Sequence, residues 1–310
     1  MSLHEPPLIF DSANALMARA LSTARRVAAS DIPVLLAGES GTGKHVLAAA
    51  IHGWSRRRAR PLVAVPPSAL ANGRHEGELF PYFEGAEKET YGWLPADGGT
   101  LFFEELCDLS LAQQAKLVRF LDEHRFEAGA ESALVEIDAR VMAATNRDIE
   151  TEVRSGHIRE DLFFRLSVVK ITLPPLRTRI EDLLELTDHF LMDLAAQHRR
   201  GAMHLTAEVR QVFARYPWPG NVRELQSVLE RVVVLSRSDT ITTEDLPERL
   251  LAGLTQTDGD CAVSSGSLHD LERHHIARVI KESPTLEDAA IRLGIDPTTL
   301  WRKRKRYGLR

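Results

Sequence analysis

Gly38-Glu-Ser-Gly-Thr-Gly-Lys44 stands between an apolar run of strand length, Val34 to Ala37, and a helical stretch, His45 to His52. Strand, glycine-rich loop and helix, in that order, form the setting a phosphate-binding loop requires. Glycines let backbone N–H groups turn inward around a β-phosphate. The helix N-terminus adds positive potential, and Lys44 reaches the β- and γ-phosphates as a point charge. A Gly-rich surface turn is the plainer reading, and the flanking elements disfavour it. Gly38, Glu39, Ser40, Gly41, Thr42, Gly43, Lys44 and His45 are therefore candidate ATP-binding residues. His45 stands where Ser or Thr would ligate Mg²⁺ in the general pattern.

Outward from the loop, apolar runs (Val63 to Val65, Thr100 to Phe103, Val135 to Ala143, Val168 to Leu173) alternate with helical stretches such as Leu111 to Leu121. This alternation predicts an α/β fold, a parallel sheet with helices on both faces. Ligands of such sheets bind beyond the carboxyl ends of strands, where Thr100-Leu-Phe-Phe-Glu104-Glu105 places two carboxylates. Glu104 is expected to hold Mg²⁺ through water and Glu105 to orient the attacking water. Without the loop, the pair would read equally well as a solvated strand end. Upstream, Asp11 or Ser12 is expected to cap a helix running to about Ala29, with Met17, Leu21, Ala24 and Ala28 on one face. After Pro174 and Pro175 the chain reads as helices only to about Leu251, among them Ile180 to Gln197 and Asn221 to Leu235. Arg56, Arg57, Arg58 and Arg60 read as a solvated loop.

The chain has 310 residues, 44% of them hydrophobic and 27% charged. That is ordinary for a globular protein of roughly two domains and excludes disordered and fibrous classes. No apolar run approaches the roughly 18 residues of a membrane span, and MSLHEPPLIF is not a secretory leader. Cys107 and Cys261 cannot build a disulfide framework, and no Cys/His cluster has zinc-ligand spacing. A cytoplasmic protein with no membrane contact is expected.

The net charge of −5 hides an asymmetry, because Asp296 to Arg310 holds six basic residues against one acid. The basic end points to a polyanion-binding module. Leu254 to Ser267 is small and polar, like a linker. Beyond it, Leu268, Leu271, Ile276, Val279 and Ile280 make a helical stripe and Leu286 to Leu293 a second helix. After a turn at Gly294 and Ile295, Asp296 caps a third helix with Pro297 at its first position. The second helix of a helix-turn-helix enters the major groove. Thr298, Thr299 and Arg302 are then placed to touch bases, with Lys303, Arg304, Lys305 and Arg306 available for the backbone. Leu300 and Trp301 are expected to pack against Leu286, Ile291 and Leu293. Such modules bind double-stranded DNA as dimers on inverted repeats.

GESGTGK, ADGGTLFFEE (Ala96 to Glu105), AATNRD (Ala143 to Asp148), REDLFFRL (Arg159 to Leu166), LPPLR (Leu173 to Arg177) and YPWPGNVREL (Tyr216 to Leu225) follow one another in this order. Together they closely resemble the AAA+ domain of NtrC-type bacterial enhancer-binding proteins, activators of sigma-54 RNA polymerase, over roughly residues 8 to 250. The resemblance is nearest to the alginate-regulator branch. LEDAAIRLGIDPTTLWRKRKRYGL resembles that family's Fis-type helix-turn-helix. The resemblance implies an AAA+ α/β core over 1–175, a helical lid over 176–252, a linker over 253–266 and the DNA-binding domain over 267–310. It adds Ala96, Asp97, Gly98, Gly99 and Thr100 to the ATP-binding set and makes Asn146 the γ-phosphate sensor and Arg223 a second sensor on the lid. Arg159 and Arg165 become arginine fingers completing a neighbouring subunit's site, which implies dimers assembling to a ring and RNA polymerase as partner.

The chain departs from the family in several places. After Glu78-Leu79-Phe80, only Gly85 and Ala86 survive of the loop that contacts sigma-54, followed by Glu87, Lys88, Glu89 and Thr90, which speaks against that contact. The family has Glu at His45, Asp at Glu104, and at Pro66 an Asn whose side chain restrains the catalytic carboxylate. About ten residues precede the first helix, so control is expected from expression, a partner or a ligand rather than from a receiver domain. Two functions remain: an oligomeric ATPase acting on RNA polymerase, or a regulator that binds nucleotide for assembly only. A replication initiator is disfavoured by YPWPGNVREL and REDLFFRL.

Overall fold

The computed structural model describes residues 12–65, 96–128, 133–236, 238–255, 272–273, 275–277, 279–280, 283 and 285–307. Pro66, the Glu78 to Thr90 segment, Asp11, Leu268 and Leu271 lie outside them. The chain divides into two compact units, Met1–Leu250 and Leu251–Arg310.

The first unit is built on strands β1 (Val34–Ala37), β2 (Leu62–Val65), β3 (Thr100–Phe103), β6 (Arg140–Thr145) and β7 (Val169–Thr172), hydrogen-bonded in the order β2-β3-β6-β1-β7. All neighbours run parallel, with Ala37 level with Thr145 and Thr172, and Phe103 level with Ala143 and Val65. Every carboxyl end therefore meets the same edge. Strands covered on both faces must be apolar at consecutive positions, and alternate residues supply two cores. Leu35, Leu101, Phe103, Val141 and Ala143 pack with Leu117, Phe120, Leu162 and Leu166. Val34, Leu36, Phe102, Met142 and Ile171 pack on the other face with Leu21, Ala24, Leu47 and Ile51.

The first helix spans Ala15–Ala28 and buries Met17, Leu21, Ala24 and Ala28 as expected, but its cap is Asn14, whose side chain accepts from the N–H groups of Leu16 and Met17. Ser12 instead donates its hydroxyl to Asp182 at 2.7 Å. The expected single strand from Val135 to Ala143 is two. One is β5 (Ala133–Glu136), paired antiparallel with β4 (Arg125–Ala128) outside the main sheet, and the other is β6. Between them Ile137 donates to His124 O and Asp138 to Asp97 Oδ1, which breaks the run.

After Leu173 come the helices Ile180–Gln197, Ala207–Arg215, Asn221–Leu235 and Glu248–Thr255. The lid is not helical throughout: β8 (His204–Leu205) pairs parallel with β9 (Thr240–Ile241). The last of these helices extends to Thr255, into the expected linker. Arg57 is not solvated. Its guanidinium donates to Asp31, to Asp138 and to the Gly99 and Asp138 carbonyls, joining the amino ends of three strands.

In the second unit, Leu286–Arg292 is capped by Thr285 and Pro297–Arg306 by Asp296, which accepts from the Thr298 N–H, with Pro297 at the first helical position. Gly294 takes a φ of +64° between them. Ile276, Val279, Ala289, Ala290, Leu300 and Tyr307 form the core.

Candidate nucleotide site and DNA-binding unit

The loop leaves β1 at Ala37 and enters the helix Lys44–Trp54 through Gly43, which sits in the left-handed region at a φ of +103°. Gly41 has a φ of +77°, and a Cβ there would lie 2.2 Å from the Gly220 carbonyl oxygen. Only glycine admits both that φ and that approach. Lys44 is buried, donates to Gly38 O at 2.7 Å and Glu39 O at 3.2 Å, and stands 3.7 Å from Glu105 Oε1. Burial pushes its pKa down, and the Glu105 charge opposes that. Burial pushes the Glu105 carboxyl up, with Lys44 and the Asn146 N–H, which donates to Oε2 at 3.0 Å, pulling it back. Beside this pair, His45 Nδ1 lies 3.2 Å from Glu104 Oε1, and the imidazole edge meets the Phe102 ring.

The lid closes on the loop from the other side. Asn221, fully buried at a φ of +51°, donates to Ser40 O and Glu39 Oε2 and accepts from the Leu176 N–H. Val222 donates its N–H to Gly41 O at 2.9 Å, and Arg223 Nη1 donates to Ser40 Oγ at 3.1 Å. Arg177 makes a two-pronged contact with Glu39 at 2.6 and 2.8 Å, and that hydrogen bond holds the Glu39 carboxyl below its ordinary value. Buried Arg179 donates to Thr42 O. Arg177, Arg179 and Asn221 carry roles that sequence reading left unassigned, although LPPLR and YPWPGNVREL contain Arg177 and Asn221. The close approach at Gly41 sets an expectation for Gly41→Ala: the added methyl displaces Gly220, and nucleotide affinity falls at least about fivefold, as strain of about 1–3 kcal/mol at such a φ requires. Isothermal titration checks it; unchanged affinity would refute the contact's importance.

The structure gathers Gly38 to His45, Glu104, Glu105, Asn146 and Arg223 at one edge. It does not bring Ala96, Asp97, Gly98, Gly99 and Thr100 there. They precede β3, whose start is level with Arg140 at the start of β6, so the length of a strand separates them from the loop. Gly99 is needed because a Cβ would strike the Pro61 carbonyl at 2.2 Å, and Thr100 Oγ1 pairs with His52. The guanidiniums of Arg159 and Arg165 are engaged by exposed Asp161 and Asp122. The Arg159 backbone is fixed by Gln114, fully buried, which accepts from its N–H and donates to the Leu109 and His157 carbonyls.

In the second unit Thr298, Thr299, Arg302, Lys305 and Arg306 are exposed. Lys303 is engaged by Glu272, which also accepts from the Tyr307 hydroxyl at 2.6 Å, and Arg304 is half-buried. Neither stands free over the helix face that was expected to grip phosphates. Leu300 is buried as expected, but Trp301 is 56% and Ile291 78% exposed, and Lys305 Nζ lies 5.4 Å from the centre of the Trp301 ring.

A P-loop sheet, a helical lid docked on its loop, and a helix-turn-helix with a basic face define an AAA+ regulator. The profile of the Sigma-54 interaction domain matches residues 10–172, that of the AAA+ ATPase lid domain 177–261, and that of the bacterial regulatory protein, Fis family, 267–307. The alginate biosynthesis transcriptional regulatory protein AlgB of Pseudomonas aeruginosa is 42% identical over 304 residues, covering 96% of this chain and 67% of that protein. Transcriptional regulatory protein ZraR of Salmonella typhimurium is 38% identical over 296 residues, 94% and 67%. The crystal structure of NtrX from Brucella abortus in complex with ATP superposes with a TM-score of 0.72 at 27% identity, covering 99% of this chain and 71% of that one. The chain belongs to the sigma-54 interaction domain family of transcription regulators, with a Fis-type helix-turn-helix at its carboxyl end. No helix among the described residues is long and apolar enough to cross a membrane.

Proposed function

We propose that this chain is a DNA-bound cytoplasmic regulator that hydrolyses ATP as a ring and acts on RNA polymerase. The observation that carries the reading is the convergence of Lys44, Glu105 and the Asn146 N–H beside the loop, with Arg223 reaching Ser40 from the lid. Three loop glycines with positive φ and a buried ammonium suit a polyphosphate, and the carboxylate of Glu104 suits Mg²⁺, a cation that prefers oxygen donors. Bound ATP supplies the phosphoanhydride that is cleaved. Lys44 and Arg223 neutralise phosphate charge, Asn146 steadies Glu105 through its backbone, and Glu105 orients the attacking water. Arg159 and Arg165 serve a neighbouring subunit, each guanidinium being held by a carboxylate, Asp161 or Asp122, rather than by a loop residue. Thr298, Thr299 and Arg302 meet bases of an inverted-repeat site, with Arg306 on the backbone.

The 3.2 Å approach of His45 to Glu104 favours a second reading, in which the metal carboxylate is already engaged and nucleotide serves assembly only. Steady-state ATP hydrolysis with Mg²⁺ across protein concentration separates the two. Specific activity is expected to rise with assembly and to vanish in Glu105→Gln, which still binds ATP. Because burial raises the Glu105 pKa, and its charged form is the competent one, the acid limb of the profile should lie above the ordinary glutamate value. Tight ATP binding with no turnover at any concentration would leave the second reading.

A further inference from the structure

We propose that Trp301 is a specificity-determining residue that reads an apolar base edge, the C5-methyl group of thymine, in the major groove. This rests on the reading of the second unit as DNA-binding. Leu300 and Tyr307 face the core of that unit, whereas Trp301, like Thr298, Arg302 and Lys305 of the same helix, is exposed. An indole left 56% exposed in so small a unit presents apolar surface where its neighbours present charge. It stands one turn into the helix, in the half that meets base edges rather than the end that leaves the groove. The flanking cations suit the phosphates on either side. Among groups the major groove displays, only the thymine methyl is apolar, so the indole finds its complement there. Lys305 Nζ, 5.4 Å from the ring centre, keeps a cation beside the contact.

The test uses the full chain and duplexes selected from a random library, once with the natural protein and once with Trp301→Ala. The natural protein is expected to select a thymine at a position where Trp301→Ala shows no preference. Replacing that thymine by deoxyuridine removes the methyl alone. It should weaken the natural protein about fourfold, the worth of one buried methyl group, and leave Trp301→Ala unaffected. Trp301→Phe, which keeps an aromatic face and loses the indole N–H, should retain the methyl sensitivity. The slope of affinity against salt should be unchanged in Trp301→Ala, unlike Arg306→Ala, because no phosphate contact is lost. Identical selected sites for the two proteins, or a natural protein indifferent to every deoxyuridine, would overturn the assignment. So would methyl sensitivity that survives in Trp301→Ala. Failure of the natural protein to bind any duplex would overturn the DNA-binding reading with it, so the two failures are distinct. Circular dichroism of each variant confirms that the unit still folds.

Discussion

Arg159→Ala and Arg165→Ala are each expected to lower ATP turnover by about a thousandfold or more, the worth of an arginine supplied in trans, while ATP affinity changes little. Each guanidinium rests on an exposed carboxylate of its own subunit, Asp161 and Asp122. Exposed ion pairs are worth about 0–1 kcal/mol, so both arginines can leave for a neighbour's phosphates at little cost. The decisive measurement is a mixture. Arg165→Ala retains Glu105, and Glu105→Gln retains Arg165, so mixed assemblies contain interfaces with both groups intact. Activity regained by two inactive proteins on mixing shows that the site is shared. A mixture that stays silent, or an Arg165→Ala protein as fast as the natural one, would refute the role. Gln114→Ala should give a milder loss in kcat, because buried Gln114 sets the Arg159 backbone without touching its guanidinium.

Trp218→Ala is expected to cost about 3–5 kcal/mol, as for large aromatic truncations in cores. Trp218 is fully buried, meets Phe213 and Tyr216 edge to face at 5.1 Å, and donates its indole N–H to Phe213 O. It also holds a φ of +48°, directing the chain through Pro219 and Gly220 to Asn221. Trp218→Phe keeps most of the packing and should cost about 1 kcal/mol for the lost hydrogen bond. Thermal melting followed by near-ultraviolet circular dichroism checks both. At about 2–4 °C per kcal/mol for a unit of this size, the alanine variant should melt some 10 °C lower, and a shift under 2 °C would contradict the packing argument.

What could be read from the sequence was local. The phosphate loop is one contiguous string between a strand and a helix, and Glu105 follows from the rule that parallel strands end at one edge. The helices Ile180–Gln197 and Asn221–Leu235 fall at the bounds their periodicity implies. What could not be read depends on partners remote in the chain. Asp11 or Ser12 was the expected cap, and the role falls to Asn14 because Ser12 is taken by Asp182, 170 residues away. Arg57 sits among four arginines, and its importance comes from Asp31 and Asp138. Glu39 was expected at the nucleotide as part of the loop, but its pairing with Arg177 and Asn221 of the lid was not legible. Lys303 was one basic residue among five, separated from the others by Glu272. The two-residue strands β8 and β9 are too short for alternation to show. Ala96 to Thr100 precede β3 at its amino end, where a Cβ on Gly99 would meet the Pro61 carbonyl, a packing constraint the motif alone does not reveal.

The backbone contact between Gly41 and the Gly220 to Val222 turn makes the loop a fulcrum. The helix Asn221–Leu235 that springs from it has 15 residues, about 22 Å of rigid rod, so a tilt of only 5° at the loop carries its far end about 2 Å. A displacement too small to notice at the phosphates thus arrives at Leu235, which lies 64% exposed at the rod's tip, as a movement the size of a hydrogen-bond step. The lid is the long arm of a lever whose short arm is the glycine-rich turn.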